Sequence, residues 1–248
     1  MPPRAADSRL TIEGLEFAVR RSPRRRTIGI TVERDGTLRL AVPSRCSRRS
    51  LEQAVHGKLD WVRRKLDEFE AMGPPPPPRR FRAGERLPYR GRWYEVRETP
   101  AGDGQATALT AAVALRRGRF ELRLPAGGAT DDVTREAFVA WYTARARDVL
   151  AERIDFFARS SCVMPDAIRV RDMGHRWGTC DSRGGVLSFH WQCVLLPARI
   201  LDYIVVHELM HLQEPNHGPR FWERVEAVLP DWKERRRWLR TDAPAYLP

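Results

Sequence analysis

Residues 74–78 are five consecutive prolines, preceded by Gly73. No helix or central strand can pass through them, because proline lacks the backbone N–H and fixes its own φ. The run therefore divides the chain into an N-terminal region, 1–73, a proline-rich connector, 74–80, and a longer region, 81–248. The connector is expected to be a stiff, extended spacer. At 248 residues the chain is long enough to bury a sizeable core in one or two domains.

On either side of the prolines the hydrophobic pattern changes period. "LEFAVRR", "TIGITVER" and "TLRLAVP" read as strands, the last two joined by an Asp35-Gly36 turn. From Ser47 to Ala71 the pattern predicts one helix, with Leu51, Val55, Leu59, Val62, Leu66 and Phe69 at spacings of three and four. Beyond the connector, "RLPYRGRWYEVRE", "AVALRR" and "RFELRLP" read as further strands, with Gly118 in a hairpin turn. A long helix is expected over 131–160, its buried stripe marked by Phe138, Trp141, Tyr142, Val149, Leu150, Ile154 and Phe157. Strands return at "AIRVRDM" and "VLSFHW", and helices are expected over 197–213, 219–228 and 231–240. The expected fold class is α+β, with a β-rich N-terminal region leading to a helical C-terminal one.

The helix over 197–213 carries the chemistry. Three of the six histidines fall within "VVHELMHLQEPNH", residues 205–217. Residues i and i+4 of a helix share a face, so His207 and His211 can offer two imidazoles to one metal ion. Glu208 stands one step round, where its carboxylate can reach a water beside the ion. This is the HExxH arrangement of zinc hydrolases, in which zinc lowers the pKa of water and the glutamate takes its proton. With six histidines and 17 glutamates, chance supplies only about 0.01 such matches in this chain.

A catalytic zinc takes a third protein ligand. Pro215 ends the helix and Asn216 tolerates a left-handed turn, which returns His217 to the site. Glu223 and Glu226 on the following helix are alternative third ligands. Metzincin proteases share the histidine spacing but carry a glycine at the turn, where this chain has Glu214-Pro215-Asn216.

Nearby residues are candidates for substrate or transition-state contact. Arg176 is a candidate oxyanion stabiliser or a residue that caps a strand, and Tyr203, one turn before His207, a candidate donor to a transition-state oxygen or a packing residue of the helix. His190 on "VLSFHW" is a candidate substrate contact or an ordinary hydrogen-bonded histidine. If "VLSFHW" is a sheet edge, an extended peptide can pair with it. Cys180 and Cys193 lack zinc-ligand spacing and read as small buried residues.

Several motifs resemble the YgjP-like metal-dependent hydrolases, a family related to the SprT-type zincin metalloproteases. They are "RWGTC" (176–180), "DYIVVHELMHL" (202–212) and "NHGPRFW" (216–222), supported by "KLDWVRRKL" (58–66) and "GERLPYRGRWYEV" (84–96). The resemblance implies a zincin-like fold with the HExxH helix packed on a small sheet. It implies one zinc ion on His207, His211 and His217, with Glu208 as base. It leaves the substrate open.

Charge and composition frame the partners. The net charge is +12, and 41 of the 44 basic residues are arginine, clustered at 20–26, 79–82 and 234–240. Guanidinium groups suit phosphate, so nucleic acid or a nucleotide is a candidate partner beside a peptide or protein substrate. The plain alternative is a solvated surface in an arginine-rich chain. Three functions are thus carried forward: a zinc peptidase, a zinc hydrolase of a small phosphorylated substrate such as a nucleotide, and a basic nucleic-acid-binding protein with a structural metal. No apolar run reaches membrane-spanning length, the first residues lack a secretory pattern, and the four cysteines make no CxxC pair. A cytoplasmic location is expected.

Overall fold

The computed structural model describes residues 8–71, 73, 79–99, 111–125 and 127–248. Prolines 74–78, read as a connector, lie outside the described residues. The chain forms two compact units, residues 1–77 and 78–248, and the architecture is α+β.

The first unit is a four-stranded sheet with two helices. Its strands are β1 (Ser8–Ile12), β2 (Leu15–Ser22), β3 (Gly29–Val32) and β4 (Leu38–Pro43), in the order β1-β2-β4-β3. The β3–β4 hairpin closes at Asp35-Gly36, as its sequence requires: the Asp35 carboxylate accepts from the Thr37 N–H at 2.9 Å, and Gly36 takes φ +82°. β1 escaped the pattern because it offers only Leu10 and Ile12 as apolar positions. β2 and β4 pair in parallel, with Phe17 opposite Leu38 and Ser22 opposite Pro43.

The single helix expected over 47–71 is two, α1 (Arg48–His56) and α2 (Leu59–Ala71). Ser47 caps α1 by accepting from the Ser50 N–H, and the break falls at Gly57. Glycine costs a helix interior about 1 kcal/mol, so the chain turns there at little expense. Phe17, Val19, Leu40 and Val42 of the sheet pack with Leu51, Val55 and Val62 of the helices.

The second unit opens with β5 (Arg86–Tyr89), β6 (Arg92–Thr99), β7 (Ala112–Arg116) and β8 (Arg119–Arg123), ordered β5-β6-β8-β7. The long helix α3 (Asp131–Ser161) follows. Thr130 caps its start and Cys162, at φ 54°, ends it. Next come β9 (Ala167–Arg171), β10 (Gly178–Asp181) and β11 (Val186–His190), then α4 (Ala198–Met210), α5 (Pro219–Val228) and α6 (Trp232–Thr241). Among the described residues no helix is long and apolar enough to cross a membrane.

Two expectations change here. The strand "VLSFHW" is not a sheet edge: β11 is the middle strand of β10-β11-β9, and Trp191 leaves it for a short 3-10 turn, Trp191–Leu195. The edge strands are β9 and β10, and the sequence did not mark β10. Its four residues, "GTCD", are too few and too polar to show a period. The HExxH helix also ends earlier than expected, at Met210 rather than 213.

α4 is apolar almost all round, and residues 200, 201, 203–206 and 208–210 are buried. Such a helix needs cover on every side. α3 supplies part of it, fastened by a two-pronged ion pair: Arg153 Nε and Nη2 donate to Asp202 at 2.7 and 3.1 Å. The start of α4 is held by the β5–β6 hairpin. N–H groups of Arg90 and Gly91 donate to the carbonyls of Val194 and Leu195 at 2.8 and 3.0 Å. A Cβ at Gly91 would meet Pro197 Cα at 2.8 Å, so only glycine fits this approach.

Candidate metal centre

His207 lies in the last turn of α4 and His211 just past its end. One turn apart, both rings point off the same face. The chain returns to them through tight turns, with the Leu212 N–H on the Leu209 carbonyl and those of Gln213 and Glu214 on Met210. No residue from 211 to 218 takes a positive φ, which corrects the left-handed turn expected at Asn216. A glycine is not needed in a loop built this way.

The return brings His217 Nε2 to 3.0 Å from both His207 Nε2 and His211 Nε2. Three nitrogens around a tetrahedral ion at about 2.0–2.1 Å are spaced roughly 3.3 Å apart, close to this arrangement. Among the described residues these three side chains are the one such group with metal-ligand potential, their ligating atoms all within 4.8 Å of one another. Glu223 and Glu226, the alternative third ligands, are outside it. Glu226 instead faces Lys233 at 3.9 Å.

The surroundings prepare the rings as ligands. His211 Nδ1–H donates to the Glu214 carbonyl at 3.0 Å, which leaves the Nε2 lone pair for an ion. His207 Nδ1 is buried with no hydrogen-bond partner. Burial, then charge on His211 and His217, pulls the His207 imidazole down to about 3. Burial likewise lowers His217. Neutral imidazole is the ligand form. Phe221 stacks under His211 at 4.4 Å between ring centres. Trp222 donates its indole N–H to the His217 carbonyl at 3.1 Å and stacks on Trp232 at 4.2 Å.

Glu208 is 6 % exposed and makes no hydrogen bond among the described residues. Burial alone pushes its carboxyl up to about 7. It lines a cleft of about 220 Å³ with Arg176, Trp177, Gly178, Tyr203, Ile204, His207 and Leu239. Arg176 and Tyr203, expected near the site, are therefore in the cleft. Tyr203 is 4 % exposed, and burial pushes its phenol up to about 12, so it stays a donor. His190 is elsewhere. It lines the neighbouring cleft of about 190 Å³, and both its nitrogens are engaged. Nδ1 accepts from the Gln192 N–H at 3.1 Å and Nε2 faces Asp172 at 3.3 Å, so His190 caps the 3-10 turn.

The sequence profile described as "YgjP-like, metallopeptidase domain" matches residues 26–242. The chain belongs to the YgjP-like metallopeptidase family. No curated protein matches it. The crystal structure of the metallopeptidase zymogen of Pyrococcus abyssi abylysin is similar over 41% of this chain and 92% of that one, at 23% identity and a TM-score of 0.29.

Sequence reasoning missed two residues of this YgjP-like site. Gly178 lies against the carboxylate: a Cβ there would stand 2.6 Å from Glu208 Cγ and 2.7 Å from Oε1. Its only sign in the sequence is the glycine of "RWGTC". Arg236 on α6 rests its guanidinium 5.0 Å over the Trp222 ring, with no carboxylate partner among the described residues. Nothing in "ERRRWLR" distinguishes it from its neighbours. Cys180 and Cys193 stand near Glu208 but outside the histidine group. Burial raises both thiols, which keeps them protonated.

Proposed function

We propose that this protein is a zinc-dependent peptidase in which His207, His211 and His217 hold one ion and Glu208 is the general base. The convergence of three Nε2 atoms on one point, beside a buried carboxylate, carries this reading. The donor set fits zinc: three imidazoles whose Nε2 atoms converge, one ring oriented by a backbone carbonyl and one lining the cleft. Bound zinc would supply Lewis acidity and lower the pKa of water toward about 7.

The chain's own groups then divide the work. Glu208 Oε takes a proton from the attacking water and passes it to the leaving nitrogen. A carboxyl raised by burial suits both roles, since its proton affinity lies near working pH. The Tyr203 hydroxyl and Arg176 are the donors for the developing oxyanion.

The substrate groove we assign is the free edge of β10. The His190 N–H donates to the Trp177 carbonyl at 2.9 Å. By the alternation of an antiparallel pair, Gly178 and Cys180 direct their N–H and C=O groups away from β11. An extended peptide pairing there passes the Glu208 carboxylate, because Gly178 adjoins both. Among the non-histidine residues lining the cleft Arg176 is the one cation, which suits a peptide carbonyl better than a nucleotide's phosphates.

Glu208→Gln tests the mechanism: zinc content is measured beside cleavage of unfolded protein and peptide substrates. The expected outcome is full zinc occupancy with hydrolysis reduced by at least a hundredfold. Unchanged hydrolysis with zinc retained rules the mechanism out, and phosphate release from nucleotides without peptide cleavage replaces the substrate class.

A further inference from the structure

The sheet of the first unit separates charge in a way its sequence does not display. Residues 8–46 contain four carboxylates, Glu13, Glu16, Glu33 and Asp35. Glu13 is in the β1–β2 turn, Glu16 near the start of β2, and Glu33 and Asp35 in the β3–β4 turn. Because β2 and β4 run in parallel, these turns share one end of the sheet. His56, at the far end of α1, lies there too, 3.8 Å from Glu13.

The opposite end is the reverse. β2 and β4 finish side by side, with Ser22 opposite Pro43. The loops leaving them are adjacent: Arg21 Nη1 donates across to the carbonyls of Ser44 and Cys46 at 3.2 and 2.8 Å. Those segments and the first turn of α1 carry Arg20, Arg21, Arg24, Arg25, Arg26, Arg45 and Arg49, all exposed. None has a carboxylate partner among the described residues. By contrast, Arg9 and Arg39 pair with Glu16 and Glu33, and Arg48 with Glu52. Seven like charges held together without counter-charge repel one another, a cost that an anionic partner would relieve.

We propose that this arginine end binds the phosphate backbone of a double-stranded nucleic acid, independently of the metal centre. Guanidinium groups match phosphate in paired hydrogen bonds, and several on two neighbouring loops suit a ligand with regularly repeated phosphates. The surface offers no means of reading or stacking on single-stranded bases, since the one aromatic residue in 8–46, Phe17, is fully buried. Among the described residues it also has nothing to insert into a bilayer: the exposed large apolar side chains, Phe156, Met164 and Ile168, are all outside this unit. Binding is therefore to the backbone, with little dependence on base sequence.

The test measures affinity of the full chain, carrying Glu208→Gln, for a mixed-sequence DNA duplex, an RNA duplex of equal length, the single strands, and phosphatidylserine vesicles. Six or so phosphate contacts predict roughly a thousandfold loss of duplex affinity between 50 and 200 mM salt. Replacing Arg24, Arg26, Arg45 and Arg49 by alanine should reduce the slope of log affinity against log salt by about 3 to 4. The same four changed to lysine should keep the slope, as should alanine at the ion-paired Arg9 and Arg39. The two duplex arms identify which nucleic acid is preferred. The proposal is overturned by no duplex binding at 50 mM salt, by a slope unmoved in the four-alanine protein, or by vesicle binding in place of duplex binding.

Discussion

Replacing Gly178 with alanine adds one methyl carbon at a point 2.6 Å from Glu208 Cγ, 2.7 Å from Oε1 and 2.8 Å from Cδ. Ordinary carbon contacts begin near 3.5 Å, so the carboxylate must retreat by about 1 Å. Neither side yields easily, because Gly178 is tied into β10 and Glu208 sits in the buried face of α4. A displacement of that size costs a positioned catalytic group about a hundredfold in rate, or about 2.7 kcal/mol of transition-state stabilisation. None of the three histidines is among the nearest atoms to that methyl, so the proposed ligand set should be untouched.

The assay is kcat/KM on a fluorogenic peptide cleaved by the wild type, with zinc stoichiometry measured on the same preparations. Gly178→Ala is expected to bind one zinc and lose about a hundredfold in kcat/KM. Combining it with Glu208→Asp, which withdraws the carboxylate by one methylene, should cost less than the product of the two single losses. Wild-type kcat/KM in Gly178→Ala refutes the reasoning. So does strict additivity in the double variant, since two residues in contact must couple.

The remaining expectations concern the ion and the proton. Saturation with zinc at a hundred times its dissociation constant should stabilise the protein by about 2.7 kcal/mol, raising Tm by roughly 5–10 °C. His217→Ala should abolish most of that rise, and a full rise in the variant would remove His217 from the ligand set. After chelation, Glu208 keeps its proton up to about pH 7, whereas the unfolded chain releases it near 4.5. The unfolded state thus binds fewer protons in that window, and Glu208's contribution to stability falls as pH rises through it. The penalty reaches on the order of 3 kcal/mol above pH 7. Urea unfolding at pH 5 and pH 8 should show Glu208→Gln gaining on the wild type by that amount at the higher pH. Every other group is shared by the two proteins, so a gain independent of pH contradicts the burial of this carboxylate.

Much of this protein is local and was therefore legible in its sequence. His207, Glu208 and His211 are placed by helical period alone, and His217 by the length of a short loop. The long helix from Asp131 was found within a residue of its end, because thirty residues of one period with a threonine cap leave little choice. The Asp35-Gly36 hairpin followed from side-chain chemistry within four residues.

What only the tertiary structure decided are the features that depend on residues distant in the chain. Gly57 looks like any tolerable helix glycine until packing makes use of the break. β10 has no period of its own and becomes a strand because β11 offers a partner. That pairing puts "VLSFHW" in the middle of its sheet with "GTCD" as an edge strand, and sets Gly178 against a carboxylate thirty residues later. Tertiary packing likewise gave His190 a cap to make, with Asp172 facing its other nitrogen. The arginines of 20–26, with Arg45 and Arg49, are visible as letters, but their separation from the four carboxylates of residues 8–46 follows from the parallel pairing of β2 and β4. The histidine cluster and the glutamate beside it were thus legible in the sequence, because a helix carries its own geometry. The cleft beside them and the charged end of the first unit exist only after strands have chosen partners, and that choice is made by the burial of whole faces.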